Sequence, residues 1–215
     1  MPSLAQQLSE QNAGARERIP ADTLAVMDAA TEEVAASGLV DSALGVGARA
    51  PEFTLPDVGG TEVALADLLA AGPVVLAFYR GGWCPYCNLE LRALQAALPE
   101  IEAAGGSLVA ISPELPDNSL STKERLELAF TVLSDVGNEV SEQYGLVFTI
   151  PEALRAVYDG FGIDLPASNG DDSFRLPVPA TYVLAPDGTV AWRFAHPDYT
   201  KRAEPADVIA ALRAL

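Results

Sequence analysis

Cysteine is scarce in this chain of 215 residues, which has two in all. Two are too few for a disulfide-stapled scaffold at this length. Histidine occurs once, as His196. A zinc site usually draws about four ligands, and beyond the cysteines only His196 is on offer, so no metal is expected. Basic residues are also few, 13 Lys and Arg against 30 Asp and Glu, for a net charge of −17. A negative surface repels nucleic acid and anionic lipid, so neither nucleic acid nor membrane is expected as a partner. Long apolar runs are missing too: Val74–Tyr79 is typical, and it is strand-sized rather than membrane-sized. Met1–Arg18 alternates polar and apolar residues without the apolar run of a secretory leader, which points to a cytoplasmic protein. No glycine-rich phosphate loop stands in a strand–helix context, and no flavin or nucleotide cofactor is expected.

What is present is a hydrophobic content of 49%, ample for a core. The length suits one domain, or one domain with an extension. Residues 3–37 read as two helices separated at Pro20, the second starting near Ala21-Asp22-Thr23 and stopping at Gly38. Residues 1–44 are therefore expected to be a helical extension and linker, and 45–215 the main domain. Phe53-Thr54-Leu55 is extended, Gly59-Gly60 turns, and a short helix follows near Ala66–Ala71. Val74–Tyr79 suits a central strand buried on both faces. A long helix spans Pro85–Ala104, a second strand Leu108–Ser112, a helix Glu124–Phe130 and a third strand Thr131–Leu133. Tyr182–Leu184, the Pro186-Asp187-Gly188 turn and Val190–Phe194 form a hairpin, and Asp207–Leu215 a terminal helix. Pro151–Leu176 fits this series poorly and reads as an insertion or lid. The order is that of an α/β fold with a mixed central sheet flanked by helices.

The two cysteines sit together as Cys84-Pro85-Tyr86-Cys87, at the end of a central strand and the start of a long helix. That placement narrows the architecture to a thioredoxin-like fold. With Cys84 at the helix cap, Pro85 takes the first helical position, where its missing N–H costs nothing. The Cys84 sulfur then faces the free N–H groups of Tyr86 and Cys87 and the positive end of the helix dipole. Both favour thiolate, so a pKa below the free value of ~8.5, about 4–7, is expected. Cys87, Leu91, Leu94, Leu98 and Ile101 form one apolar stripe. Cys87 is accordingly expected to be buried, and Cys84, outside the helix, exposed. An exposed thiolate attacks and a buried thiol resolves. Helical (i, i+3) side chains are ~5–6 Å apart, too far for a disulfide at ~3.8 Å; a non-helical first cysteine removes that obstacle.

Tyr79-Arg80-Gly81-Gly82-Trp83-Cys84-Pro85-Tyr86-Cys87 resembles a thioredoxin or glutaredoxin active site. The surrounding chain resembles the AhpC/TSA (peroxiredoxin-like) family in Ala50-Pro51-Glu52-Phe53-Thr54-Leu55-Pro56-Asp57, Leu133-Ser134-Asp135, Tyr144-Gly145 and Pro186-Asp187-Gly188. This resemblance covers roughly residues 45–215. It implies a thioredoxin-like fold and thiol-based reduction of hydroperoxides. Peroxiredoxins typically carry Pro and Thr or Ser ahead of the reactive cysteine, where this chain has Ala77 and Gly81; thioredoxins carry a buried Asp where it has Phe78. The family's later active-site Arg is not evident beside the Tyr182 strand.

Arg80 is the one cation next to the motif in sequence. Its guanidinium either steadies the Cys84 thiolate or a peroxide oxygen, or is an exposed strand-end group paired with a carboxylate. Gly81-Gly82 either lets the loop approach a substrate or meets a turn requirement. Trp83 and Tyr86 are candidate substrate contacts. Pro179, by its resemblance to the cis-proline loop of thioredoxin folds, is expected to face the cysteines through a cis bond, with Pro177 as the competing position. His196 reads as a surface turn, with Tyr199, Lys201 and Arg202 in the same solvated loop. Glu90 and Arg92 are expected on the surface.

These readings converge on a thiol oxidoreductase. Cys84 attacks a hydroperoxide or a substrate disulfide, Cys87 closes a Cys84–Cys87 disulfide, and a thioredoxin-like or glutathione-type donor resets it. Peroxide reduction leads because of the resemblance. A thioredoxin/glutaredoxin-like disulfide reductase is the alternative, and a non-catalytic redox sensor a third. Oligomeric state is not legible.

Overall fold

Val74–Phe78 runs through the middle of a five-stranded mixed sheet, and all its residues are buried. The structure, a computed structural model, describes residues 2–215, so Met1 of the extension lies outside the described residues. In chain order the elements are α1 (Leu4–Arg18), α2 (Ala21–Ala36), α3 (Leu39–Ser42), β1 (Thr54–Pro56), β2 (Glu62–Ala64), α4 (Leu65–Ala71), β3 (Val74–Phe78), α5 (Pro85–Ala103) and β4 (Ser107–Ser112). Then come α6 (Pro116–Arg125), β5 (Thr131–Ser134), α7 (Glu139–Gln143), β6 (Val147–Thr149), α8 (Glu152–Gly160), α9 (Leu165–Asn169), β7 (Arg175–Pro177), β8 (Ala180–Leu184), β9 (Val190–Ala195) and α10 (Pro205–Arg213).

The sheet order is β5-β4-β3-β8-β9. β3, β4 and β5 are parallel, while β8 is antiparallel to both β3 and β9. The period-two alternation of a strand divides β3 between two cores. Val75 and Ala77, with Tyr79 just beyond, meet Leu91, Leu94 and Ile101 of α5 and Val208 of α10. Val74, Leu76 and Phe78 meet Leu65 and Leu69 of α4 and Tyr144. The mixed α/β architecture expected from the sequence is therefore present.

The segment 124–130 is a correction. α6 starts early, with Pro116 in its first turn, and stops at Arg125 because Glu127 takes a positive φ of 53°. Leu126, Leu128 and Phe130 are buried by strand-like alternation leading into β5, not by helical spacing. Pro179 is a second correction. No cis peptide bond occurs among the described residues. The chain passes from β7 to β8 in extension, with Val178 N–H donating to the Leu146 carbonyl at 2.8 Å, and a trans bond continues that path.

The extension docks rather than trailing. Ser3 Oγ caps α1 by accepting from Gln6 N–H at 3.2 Å. The Glu204 carboxylate accepts from Leu4 N–H at 3.3 Å and Ala5 N–H at 2.6 Å, placing a negative group at the positive end of α1. Leu4 and Leu8 are buried in the α5 core. Arg16 clasps Asp28 through two bonds of 2.8 Å, tying α1 to α2. Residues 150–176 pack on α2, with Ile150, Leu154, Tyr158 and Leu165 around Ala30. Among the described residues no helix is long and apolar enough to cross a membrane.

Truncating Leu8 to Ala removes buried apolar surface and leaves a void, so urea unfolding is expected to show a loss of about 2–5 kcal/mol. Arg16→Ala removes a half-exposed ion pair that solvent screens, so its loss should be clearly the smaller of the two. Equal losses would mean that apolar packing does not hold α1 in place.

Candidate active site

The site forms where β3 gives way to α5. Cys84 occupies the helix cap in extended conformation, φ −86° and ψ 114°, with Pro85 next in the first turn. Its carbonyl accepts the first helical bond from Asn88 N–H at 3.1 Å. The loop before it is fixed by close approach. Gly81 has φ 149°, and a Cβ there would lie 2.3 Å from Trp83 Nε1. A Cβ on Gly82 would fall 1.8 Å from Thr122 Oγ1. The glycine pair is thus packed against the protein's own Trp83 and Thr122 side chains. Gly82 N–H donates to Glu114 Oε2 at 2.9 Å, and its carbonyl accepts from Asn88 Nδ2 at 3.0 Å and Arg125 Nη2 at 2.9 Å. Glu114 was not anticipated; Ser168 Oγ steadies its other oxygen at 3.1 Å.

Both cysteines are free thiols and both are buried, Cys87 at 0% and Cys84 at 1% exposure. The expectation that Cys84 is exposed is therefore corrected: the α1–α2 extension covers it. Cys84 opens instead onto a cavity of about 360 Å³ lined also by Arg80, Tyr86, Asn12, Met27 and Tyr158. The sulfurs remain sorted by charge. Burial pushes the Cys84 thiol up, but the hydrogen bond from Cys87 and the positive charges of Arg80 and Arg202 outweigh it, bringing its pKa down to about 6. Burial and the bond to Cys84 push the Cys87 thiol well above its usual range.

Arg80 is buried at 3% exposure, which contradicts the reading of it as an exposed strand-end group. Among the described residues it has no ion-pair partner, and its Nε is buried without a hydrogen bond. Its guanidinium carbon lies 4.6 Å from the Tyr199 ring, 5.1 Å from Trp83 and 5.6 Å from Tyr158. Three electron-rich faces thus hold a cation that no carboxylate neutralises. Trp83 packs on Tyr158 at 5.5 Å. Tyr86 is buried, meets Tyr199 edge-on at 5.5 Å, and donates its hydroxyl to Asn12 Oδ1 at 3.3 Å. Pro179 stands apart, beside Arg80 and Tyr199 in a smaller cleft of about 30 Å³.

Three residues assigned to the surface belong here. Glu90 is buried at 2% and bonded to Arg202, itself buried at 6%; Arg202 also reaches Cys87. Glu90 lies three residues after Cys87 and four before Leu94, so it shares the apolar stripe, and that spacing was the available signal. Arg202 meets Cys87 across 115 positions, and no local pattern announces it. Tyr199 is half-buried against Arg80 rather than solvated. His196, Lys201 and Arg92 are exposed, as expected.

The AhpC/TSA family profile matches residues 46–193. The chain is 31% identical to peroxiredoxin Q, chloroplastic, of Triticum aestivum over 150 residues, covering 68% of this chain and 69% of that one. It is 33% identical to peroxiredoxin Bcp of Escherichia coli (strain K12) over 117 residues, covering 54% and 74%. In fold it is similar to peroxidoxin BcpB from Mycobacterium tuberculosis, with a TM-score of 0.64 at 24% identity over 80% of this chain and 98% of that one. α1, α2 and α3 precede the matched residues.

The thiolate is the reactive form, so alkylation of Cys84 is expected to accelerate as pH rises through about 6 and level off above it. The stability effect has a matching sign. The folded value lies below the ordinary 9.0, so the contribution is complete above 9 and lost as pH falls through about 6. Thiolate absorbance titrated in the Cys87→Ser variant checks the assignment; a midpoint near 9 contradicts it.

Proposed function

The chain belongs to the AhpC/TSA family and is a thiol peroxidase, and from that premise we propose that Cys84 is the sulfur that reduces the peroxide and Cys87 the sulfur that resolves it. One observation carries these roles: a low-pKa thiolate and an unpaired buried guanidinium line one cavity. The Cys84 thiolate attacks the terminal oxygen of a hydroperoxide and the O–O bond breaks. The alcohol departs with a proton, leaving a sulfenic acid on Cys84. Cys87 then attacks that sulfur, water leaves, and the disulfide forms. A thioredoxin-type dithiol returns two electrons and two protons.

Arg80 supplies what Gly81 cannot. Members with Thr or Ser at that position have a hydroxyl beside the peroxide. Here the Arg80 guanidinium lines the same cavity as Cys84 and supplies the positive charge that offsets the negative charge developing on the leaving oxygen. Asn12 and Met27 line the same cavity of about 360 Å³ as Cys84, a volume that suits a small or alkyl hydroperoxide. In this reading residues 1–44 are an extension added to a domain at 45–215. Its compartment is the cytosol, where both sulfurs are returned to thiols.

A charge-assisted contact is worth about 1.5–3 kcal/mol, so Arg80→Ala is expected to slow Cys84 oxidation about 10–150-fold in stopped flow. Arg80→Lys should recover part of the rate. Hydrogen peroxide, an alkyl hydroperoxide and oxidised glutathione are compared side by side. Wild-type rates in Arg80→Ala would remove Arg80 from the mechanism. Faster oxidation by glutathione disulfide than by either peroxide would overturn the assigned substrate.

A further inference from the structure

Arg202 enters the site from the segment between β9 and α10, and its Nη2 donates to Cys87 Sγ at 3.2 Å. The rest of its head is locked in place. Nε donates to Glu90 Oε2 at 2.5 Å, and Nη1 donates to the carbonyls of Tyr199 and of Lys201, the latter at 2.7 Å. The two side chains of the ion pair are 1% and 2% exposed, so water screens neither charge. The second Glu90 oxygen accepts from Thr181 Oγ1 on β8 at 3.5 Å. Cys87 and Glu90 project from one face of α5, and both lean on the same guanidinium.

That sharing sets a charge constraint. With Cys87 as a thiol, one guanidinium and one carboxylate balance. Ionising Cys87 places a second anion beside a single buried cation, which is costly at low dielectric. A neutral Glu90 restores the balance, leaving thiolate and guanidinium as the charged pair. Burial already pushes the Glu90 carboxyl up to about 7; Arg202 opposes this, and charge on Cys87 adds to it. Other groups also face Cys87. Cys84 and Arg80 belong to the peroxide-binding side, burial holds the Tyr79 hydroxyl protonated, and Glu114 is engaged by Gly82 N–H and Ser168.

We propose that Arg202 is a catalytic residue of the resolving step, holding the Cys87 thiolate as it attacks, and that Glu90 is a positioning residue that shares Arg202 and through it sets how readily that thiolate forms. This rests on the resolving role assigned to Cys87. The step balances. The Cys87 thiol gives up its proton as the thiolate forms. The thiolate electron pair forms the S–S bond as the S–O bond of the Cys84 sulfenic acid breaks. The departing hydroxide takes up that proton and leaves as water. The Cys87 sulfur is oxidised and the Cys84 sulfur reduced, with no further reactant.

Stopped flow on the reduced full chain with excess hydrogen peroxide separates the steps. The first phase scales with peroxide; the second, disulfide closure, does not, and it accelerates with pH because thiolate is the reactive form. Arg202→Met is expected to slow the second phase about tenfold or more at neutral pH, with Arg202→Lys recovering part of it. Glu90→Gln keeps an oxygen for Arg202 but removes the anion, so the pH midpoint of the second phase should fall by about 1–2 units. An unchanged midpoint in Glu90→Gln overturns the proposal, whatever the variant does to unfolding. That variant preserves shape and carries the test if Arg202→Met does not fold. Wild-type protein that forms no disulfide fails the resolving role of Cys87 itself, a distinct result.

Discussion

A guanidinium buried without a carboxylate carries a heavy desolvation cost, and the arrangement around Arg80 answers to it. Three aromatic rings stack around the cation, from the active-site loop (Trp83), from α8 (Tyr158) and from the segment after β9 (Tyr199). None of them cancels its charge. The Cys84 thiolate is the anion within reach, and Arg80 is among the groups that hold that thiol low despite full burial. Cation and nucleophile thus stabilise one another inside the protein, and neither would keep its charge there alone.

The second guanidinium works under a different constraint. Arg202 has a carboxylate partner in Glu90, so its charge is already balanced while Cys87 is a thiol. The two sulfurs, three positions apart, therefore meet opposite electrostatics: Cys84 beside an unpaired cation and Cys87 beside a paired one. In the proposed mechanism this division separates attack from resolution without requiring different exposure. It also links the ends of the chain, because Glu204 of the Arg202 segment caps the α1 helix that lines the cavity.

Much of this was legible in the sequence. The apolar run at 74–78 announced a doubly buried strand, and Pro85 after Cys84 announced a helix start with the sulfur at its cap. The Cys87 stripe gave the buried face of α5. What escaped notice depended on tertiary contact. Cys84 looked exposed because its cover comes from helices that precede the family match. Glu90 looked like a surface residue because it was placed off the Cys87 stripe, although it stands three residues from Cys87 and four from Leu94 and is buried with them. Leu126, Leu128 and Phe130 were read at the wrong period, and Arg202 joined the site from more than a hundred residues away.

Stoichiometry of the reduced protein against hydrogen peroxide, read by thiol count, residual peroxide and intact mass, tests the central claim most directly. One peroxide consumed per chain, with both thiols lost and a mass lower by two hydrogens, is the expected result. Peroxide left unconsumed, or consumed with Cys87 still a free thiol or only cross-linked between chains, would contradict it.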